Sequence, residues 1–282
     1  MVEHKSMENG FRYIEVTNER ARAKIALQGA HLFHYEQKGR KPLLWLSETS
    51  FFETGRSIRG GIPVCWPWFG MHKSDPNLPQ HGFARDFLWE LLEANEAGDN
   101  STELLFELKS SPESMKLWPY RFELRLLITV SDELTVSLTT KNCATEAFEI
   151  SSALHSYFAV SNIDNVNIEG LEGKKYFDAL DKKYKIQKGD IHISEEIDRV
   201  YQGVHGPIII RDNDRTVKIE SKGSSSAVVW NPWIEKCARM SAMKNDAYKT
   251  MLCIETANAM EDGQTLQPGE SHTLTATIYG SL

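Results

Sequence analysis

One candidate for acid–base chemistry is a histidine within the alternating run Phe148–Phe158. Side chains of a strand alternate between its two faces, so the large apolar residues of this run are expected to face the core. His155 and Tyr157 share the other face with small residues, Ser151 and Ala153, which leaves space there for a ligand. The alternative is a histidine on a half-exposed sheet surface, and the spacing alone does not decide between the two.

A second candidate is the glutamate of the strand-like segment Met251–Thr256. Glu255 shares parity with Met251 and Cys253 and has apolar neighbours on both faces. A buried carboxylate is costly unless it is paired or hydrogen-bonded, and desolvation would raise its pKa toward that of a useful general base. A structural carboxylate bonded to a backbone loop would leave the same pattern, so both interpretations stay open.

Two irregular segments, 55–71 and 74–85, interrupt the strand pattern and are dense in Gly, Pro and aromatic residues. Long irregular segments in a compact fold are usually binding loops. They carry Arg59, beside a Gly-Gly pair, and Arg85. Guanidinium groups match the geometry of phosphate oxygens, so we expect an anion site here. Arginines that pack on aromatic rings or pair with Asp86 would give the same pattern.

Composition and charge restrict the function. The chain has 282 residues, of which 41% are hydrophobic and 25% charged, as in ordinary globular proteins. Its net charge of −7 argues against nonspecific nucleic-acid binding, which needs a large positive surface. The sequence contains no apolar run of the ~20 residues needed to cross a bilayer, and its first residues lack a secretory signal. We therefore expect a cytoplasmic protein with neither nucleic-acid nor membrane partners.

Motifs for metals, nucleotides and disulfides are missing from the sequence. The four cysteines, Cys65, Cys143, Cys237 and Cys253, form no CxxC pair. Cys143 and Cys253 lie in strand-like runs and are expected to be small buried apolar residues. Neither a GxxxxGK[ST] phosphate loop nor a GxGxxG dinucleotide motif occurs. We expect no metal site and no organic cofactor.

The elements that must position these residues are mainly strands. Short runs rich in Val, Ile, Thr, Phe and Tyr follow one another and are separated by turn residues, as at Asp212-Asn213-Asp214. This spacing predicts an all-β antiparallel sandwich or barrel, and we favour one large two-sheet sandwich. Residues 1–282 are expected to form a single domain, because no linker or repeat divides them. Short helical segments are predicted at Ser111–Lys116, Ile234–Met243 and Asp246–Lys249.

Six short strings carry a resemblance to a known family: RGGIPVCWPWFG (59–70), QHGFAR (80–85), LHSYF (154–158), DRVY (198–201), VVWNPWIEK (228–236) and CIETAN (253–258). Together and in this order they resemble the hexose-6-phosphate mutarotases, also called glucose-6-phosphate 1-epimerases, of the galactose mutarotase-like superfamily. The resemblance implies a large antiparallel β-supersandwich with its site on a concave sheet face. It implies His155 and Glu255 as the catalytic pair, and as the substrate-binding set it implies Arg59, Gln80, Arg85, Asp198 and His81.

The implied reaction interconverts the α and β anomers of a hexose 6-phosphate, chiefly glucose 6-phosphate. Ring opening needs a base for the C1 hydroxyl proton and an acid for the ring oxygen. We assign Glu255 as the base and protonated His155 as the acid, with the roles reversed on closure. Arg59 and Arg85 would bind the 6-phosphate, and Asp198 would hold sugar hydroxyls or raise the pKa of His155. No metal, nucleotide or covalent intermediate is required.

Other functions stay open at this point. An aldose 1-epimerase for neutral sugars would use the same pair without the arginines. A noncatalytic carbohydrate-binding protein would bind sugars through its tryptophans, since fold does not fix function. A glycosidase fits less well, because it usually needs two carboxylates beside the scissile bond, and Asp198 is the one candidate partner of Glu255. We expect the chain to act as a monomer on a small sugar phosphate.

Overall fold

Antiparallel strands provide most of the regular structure, as the sequence predicts. The computed structural model describes residues 1–213 and 215–281, so the turn predicted at Asp212-Asn213-Asp214 includes one residue, Asp214, that lies outside the described residues. The strands are β1 (Val2–Ser6), β2 (Arg12–Thr17), β3 (Ala21–Ala26), β4 (His31–Gln37), β5 (Val64–Cys65), β6 (Glu90–Glu96), β7 (Thr102–Lys109), β8 (Phe122–Val130), β9 (Glu133–Asn142), β10 (Phe148–Ile150), β11 (Ser152–Leu154), β12 (Tyr157–Ala159), β13 (Asn167–Glu169), β14 (Lys175–Asp178), β15 (Lys183–Ile186), β16 (Ile191–His192), β17 (Ile197–Gln202), β18 (Ile208–Arg211), β19 (Thr216–Lys222), β20 (Ser226–Asn231), β21 (Met251–Asn258), β22 (Gln264–Leu266) and β23 (Ser271–Ser281).

Helices are few and short. They are α1 (Pro112–Leu117), α2 (Trp233–Arg239) and 3-10 turns at Ala84–Asp86, Ile163–Asn165, Ala247–Thr250 and Met260–Asp262. Helix α1 starts at the predicted place because the Ser111 hydroxyl accepts a hydrogen bond from the Ser114 backbone N–H, a favoured N-cap arrangement. Helix α2 ends at Arg239, before the predicted end at Met243. None of the helices in the described ranges has both the length and the apolar character of a membrane span.

Two large sheets dominate the architecture. One has eight strands in the order β15-β14-β17-β20-β21-β11-β5, with β12 also paired to β21; the other has nine, in the order β16-β13-β18-β19-β23-β9-β8-β7-β6. A four-stranded sheet, β1-β2-β3-β4, and the pair β10-β22 complete the strands. Every strand ladder is antiparallel. This arrangement confirms the prediction of an all-β antiparallel fold.

The main core joins the two large sheets. Along β9 the buried residues Leu134, Val136 and Leu138 alternate with half-buried hydroxyl residues, the two-residue period of a strand. These leucines and valine share one apolar cluster with Leu154 and Ile254 of the eight-stranded sheet. Burial of each such side chain contributes about 1.5–3 kcal/mol, so this cluster is the main support for both sheets.

The eight-stranded sheet also buries part of its other face. A second cluster contains Val228, Trp230, Met251 and Cys253, residues of the neighbouring strands β20 and β21. All eight residues of β21 are buried. A strand buried on both faces explains why the sequence around Glu255 is apolar at nearly every position.

Two local predictions are wrong. The run Phe148–Phe158 is not one strand: it breaks after Ile150 and again after Leu154, so that His155 lies between β11 and β12. Its backbone N–H donates to the carbonyl oxygen of Pro63, which lies in an irregular loop. Cys143 is exposed rather than buried, because β9 ends one residue before it.

Candidate active site

His155 and Glu255 meet on the second face of the eight-stranded sheet. Strands β11 and β12 both pair with β21, which brings the break at His155 beside the centre of β21. His155 Nδ1 lies 3.4 Å from Glu255 Oε1, and their side chains are only 11% and 2% exposed. Each also keeps a buried polar atom without a hydrogen-bond partner, His155 Nδ1 and Glu255 Oε2. The two side chains therefore form a close buried pair whose hydrogen-bonding capacity is not used up.

The surroundings of the pair favour the uncharged form of both groups. Burial, then the neighbouring His81 ring, and then the positive charges of Arg85 and Arg59 hold the pKa of His155 well below its usual 6.5. Burial, and then the negative charge of Asp198, raise the pKa of Glu255 well above its usual 4.5. A raised pKa of His155, through the charge of Asp198, was one expectation from the sequence. The opposite direction results because burial has the largest effect.

Arg59 is held beside this pair. Its backbone N–H donates to Ser50 Oγ (2.8 Å), and its Nη1 donates to the hydroxyl of Tyr157 at 3.4 Å. The following residues, Gly60 and Gly61, have positive φ, and a Cβ on either would come within 2.5 and 2.3 Å of a backbone oxygen of the neighbouring chain segments. Only glycine therefore allows this loop to pack so closely, which fixes the position of Arg59.

Arg85 belongs to the 3-10 turn Ala84–Asp86, and its Nη2 donates to the backbone carbonyl of Gln80 (2.7 Å). The Nε atoms of Arg85 and Arg59 are buried without a hydrogen-bond partner. Neither guanidinium group forms an ion pair with a carboxylate in the ion pairs resolved among the described residues. By contrast Arg56, the third arginine of these loops, is paired with Glu53. Two arginines that lack carboxylate partners suit an anionic ligand.

His81 completes this side of the site. Its ring centroid lies 5.8 Å from that of His155, and its Nδ1 accepts a hydrogen bond from the Gly70 backbone N–H (3.1 Å). Burial, together with the charges of Arg85 and Arg59, lowers the pKa of His81 to about 3. The neutral ring therefore carries its proton on Nε2, where it can donate to a ligand oxygen.

Asp198 lies across the sheet, opposite Trp230 in the β17–β20 ladder. Its Oδ2 is 3.7 Å from the Nζ of Lys236, and that ammonium group also contacts Glu196 at 3.0 Å. Burial raises the pKa of Asp198. Lys236 could not be singled out from the sequence, because a lysine on a short helix is normally a solvent-exposed residue.

Gln80 is the predicted site residue that the structure connects least directly. The residue is exposed, and only its backbone carbonyl contacts Arg85. A role for its side chain stays a prediction. The structure thus brings together His155, Glu255, Arg59, Arg85, His81 and Asp198 through contacts or electrostatic interactions, and leaves the Gln80 side chain at the surface.

Aromatic side chains enclose the pair, and one of them, Trp45, has no signal in the sequence. Tyr157 stacks on His155 and on Trp45, while the edge of Trp230 approaches His155 at 6.1 Å between centroids. The parity of Tyr157 with His155 was a visible signal, but Trp45 comes from a distant segment. Trp66, another tryptophan of the irregular loops, is fully buried in the main core.

Buried polar atoms without a hydrogen-bond partner are concentrated at this site. Of the seven buried side-chain N and O atoms without a partner in the described residues, four belong to His155, Glu255, Arg59 and Arg85. Native proteins seldom leave buried polar atoms unpaired, so their concentration here indicates a polar ligand. Within residues 1–213 and 215–281, no group of three or more His, Cys, Asp or Glu side chains is arranged to hold a metal ion.

Comparisons with known proteins show which family the chain resembles. The profile of the family described as aldose 1-epimerase matches residues 12–279. A Salmonella typhimurium LT2 protein with the provisional name glucose-6-phosphate 1-epimerase is 38% identical over 250 residues, which cover 87% of this chain and 83% of that protein. An Escherichia coli K12 protein with the same provisional name is 36% identical over 263 residues, covering 92% and 87%.

A solved crystal structure is similar to this chain in both sequence and fold. The crystal structure of YeaD from Salmonella typhimurium, provisionally named a mutarotase, matches with a TM-score of 0.93 and 35% identity, over 99% of this chain and 93% of that one. This match confirms the predicted mutarotase-like supersandwich. With the family profile matched over nearly its whole length, the chain belongs to the aldose 1-epimerase family.

Proposed function

We propose that this protein interconverts the α and β anomers of hexose 6-phosphates, chiefly glucose 6-phosphate. The observation that carries the proposal is the buried His155–Glu255 pair beside two arginines, all four with unused hydrogen-bonding atoms. Family membership supports the anomerase chemistry, and the provisional names of the relatives support the phosphorylated substrate.

Acid–base catalysis by the pair needs one proton shared between the two side chains. Burial favours the form with this proton on Glu255, whereas the mechanism from the sequence starts with it on His155. The two forms differ by one proton transfer between the two side chains, whose Nδ1 and Oε1 atoms are 3.4 Å apart. Either way one group can accept a proton while the other donates one, so the pair as a unit serves as the catalyst.

Ring opening and closure of the sugar need no reactant besides the substrate and this pair. In the form with the shared proton on His155, Glu255 removes the proton of the C1 hydroxyl, the C1–O5 bond breaks as the C1 carbonyl forms, and His155 gives its proton to O5. Rotation about the C1–C2 bond presents the other face of the aldehyde to the O5 hydroxyl, and the reverse transfers close the ring. The neutral Nε2–H of His81 and the carboxylate of Asp198 would hold sugar oxygens during these steps.

Arg59 and Arg85 would bind the 6-phosphate and so set C1 against the catalytic pair. Both are partly buried and lack a carboxylate partner among the described residues, so a phosphate would form charge-assisted hydrogen bonds without displacing an existing ion pair. Such bonds to charged groups contribute about 1.5–3 kcal/mol each, or roughly 10- to 100-fold in affinity.

Substrate discrimination tests the proposal. Anomer exchange of glucose 6-phosphate and of glucose should be followed by NMR magnetisation transfer with wild-type protein, Arg59→Ala and Arg56→Ala. We expect faster exchange of the phosphorylated sugar, a loss of about 10- to 100-fold in Arg59→Ala on that substrate only, and no change in Arg56→Ala, whose arginine is paired with Glu53. Equal turnover of both sugars would identify a neutral-sugar aldose 1-epimerase instead, and sugar binding without faster exchange would identify a noncatalytic binder.

Three further expectations from the sequence also stay predictions. They are a single domain over residues 1–282, a monomeric state, and a cytoplasmic location with neither nucleic-acid nor membrane partners. The first is supported by one apolar cluster that includes residues from Ile14 near the start to Ile278 near the end of the chain.

A further inference from the structure

Tyr157 contacts both halves of the site. Its ring lies parallel to the His155 imidazole, with centroids 4.7 Å apart and an angle of 7° between the planes. Its hydroxyl oxygen accepts a hydrogen bond from Arg59 Nη1 at 3.4 Å. One side chain therefore connects the candidate phosphate-binding arginine to the candidate acid–base histidine.

The surroundings of Tyr157 leave its ring little freedom. Trp45 stacks on it at 5.9 Å and 22°, and Trp230 meets it edge-on at 6.0 Å and 79°. Its backbone N–H donates to the Gly61 carbonyl and its own carbonyl accepts from the Trp45 N–H, both at 2.9 Å. The side chain is 2% exposed. A closely packed interior resists movement of a side chain, so the Tyr157 ring is fixed in place. The fixed ring keeps the His155 imidazole parallel to it.

The hydroxyl of Tyr157 can also act as a hydrogen-bond donor. In the described part of the chain it accepts from Arg59, and none of its hydrogen bonds uses the phenolic proton. Burial raises the pKa of Tyr157, so the phenol stays protonated at neutral pH. An oxygen of a ligand bound to Arg59 could accept this proton, since a hydroxyl both donates and accepts.

We propose that Tyr157 is a positioning residue with two separable roles in the anomerase reaction: its hydroxyl orients Arg59 toward the phosphoryl group, and its ring sets the orientation of the His155 imidazole. This inference rests on the proposed function and extends it to a residue outside the acid–base pair and the predicted substrate-binding set. It makes the hydroxyl a determinant of substrate choice and the ring a determinant of turnover.

Two substitutions separate the roles. Tyr157→Phe keeps the ring and removes the hydroxyl, so KM for glucose 6-phosphate should rise about fivefold, which corresponds to about 1 kcal/mol, the usual net contribution of one hydrogen bond. The preference for glucose 6-phosphate over glucose, as the ratio of kcat/KM values, should fall by the same factor. Tyr157→Leu removes the aromatic stack and should lower kcat about tenfold or more on both sugars, because small displacements of a catalytic group are costly.

The matched control is Tyr201→Phe. Tyr201 is equally buried, its hydroxyl donates to Gln187 (2.8 Å), and it lies in the main core on the opposite face of the sheet. This variant should keep the wild-type kinetics of both sugars. Thermal melts of all three variants show whether any effect comes from loss of the fold.

The outcomes distinguish this inference from the function on which it rests. Wild-type protein that does not accelerate anomer exchange of glucose 6-phosphate would overturn the proposed function. An active wild type with unchanged KM in Tyr157→Phe, or with equal KM increases for both sugars, would overturn the role of the hydroxyl alone. Because Tyr157→Phe differs by one oxygen atom, this comparison holds even if Tyr157→Leu does not fold.

Discussion

His31 gives a prediction about stability that can be worked out from the structure. It begins β4, is 1% exposed, and its Nε2–H donates to the Gly60 carbonyl (2.7 Å), next to Arg59. Burial lowers the pKa of His31 from 6.5 to about 4; the charge of Arg85 acts in the same direction, and the bond to Gly60 opposes it. Between pH 6.5 and about pH 4, the His31 imidazole therefore binds a proton in the unfolded chain but not in the folded protein.

The size of this effect follows from proton linkage. The free energy of unfolding falls by about 1.4 kcal/mol per pH unit while the unfolded imidazole is protonated and the folded one is not. Acidification from pH 6.5 to pH 5 should thus remove about 2 kcal/mol through His31, and the loss should level off near pH 4. Whole domains are stable by only about 5–15 kcal/mol, so this one residue has a measurable share.

Urea unfolding at pH 7, 6 and 5 measures the effect. His31→Gln is expected to be less stable than wild type at pH 7, because packing and the bond to Gly60 are disturbed, but the difference should shrink by about 2 kcal/mol at pH 5. His4→Gln, which removes an exposed imidazole from β1, should follow the wild-type pH dependence. Parallel loss of stability in wild type and His31→Gln would refute the assignment of a buried neutral His31.

Three other substitutions test the site and its support. Glu255→Gln should be inactive yet more stable than wild type at pH 7 by urea unfolding, because the buried carboxyl resists an ionisation that the unfolded chain undergoes. This gain should vanish toward pH 4.5, and a gain that does not depend on pH would contradict the reasoning. Asp198→Asn should move the alkaline limb of the pH profile of kcat/KM to lower pH, because the charge of Asp198 raises the pKa of Glu255. An alkaline limb at the wild-type position would disprove that interaction. Gly82→Ala should prevent normal folding, because its Cβ would lie 2.0 Å from the Trp66 carbonyl oxygen at a φ of +71°. The control Gly98→Ala has no atom within 4 Å of its Cβ and should yield normal protein. Equal yields and melting temperatures of the two variants would show that the loop around Gly82 adjusts.

Alternation made much of the site predictable. Around His155 the two-residue alternation correctly assigned Leu154 and Phe158 to the main core and Ala153 and Tyr157 to the other face of the sheet, because the alternation within a strand is a local property. Arg59 and Arg85 stood out because they occur in irregular loops. The resemblance to a family then added His81 and Asp198, which no spacing rule would have selected.

The parts that could not be predicted depend on partners far away in the chain. The break at His155 accompanies a hydrogen bond to Pro63, and the stack on Tyr157 depends on Trp45, so neither has a local signal. The pKa of His155 is lowered rather than raised, because burial has the largest effect on it and burial depth is a tertiary property. Cys143 looked like a strand residue, but its strand ends just before it.

The acid–base pair is tested most directly by the anomer exchange rate of glucose 6-phosphate, measured by NMR magnetisation transfer with wild type, His155→Ala and Glu255→Gln at pH 7. Each positioned proton transfer is typically worth about 10²–10⁴-fold, so we expect each variant to lose at least 10²-fold while both stay folded. An exchange rate equal to that of wild type in either folded variant would contradict the assignment of His155 and Glu255 as the catalytic pair.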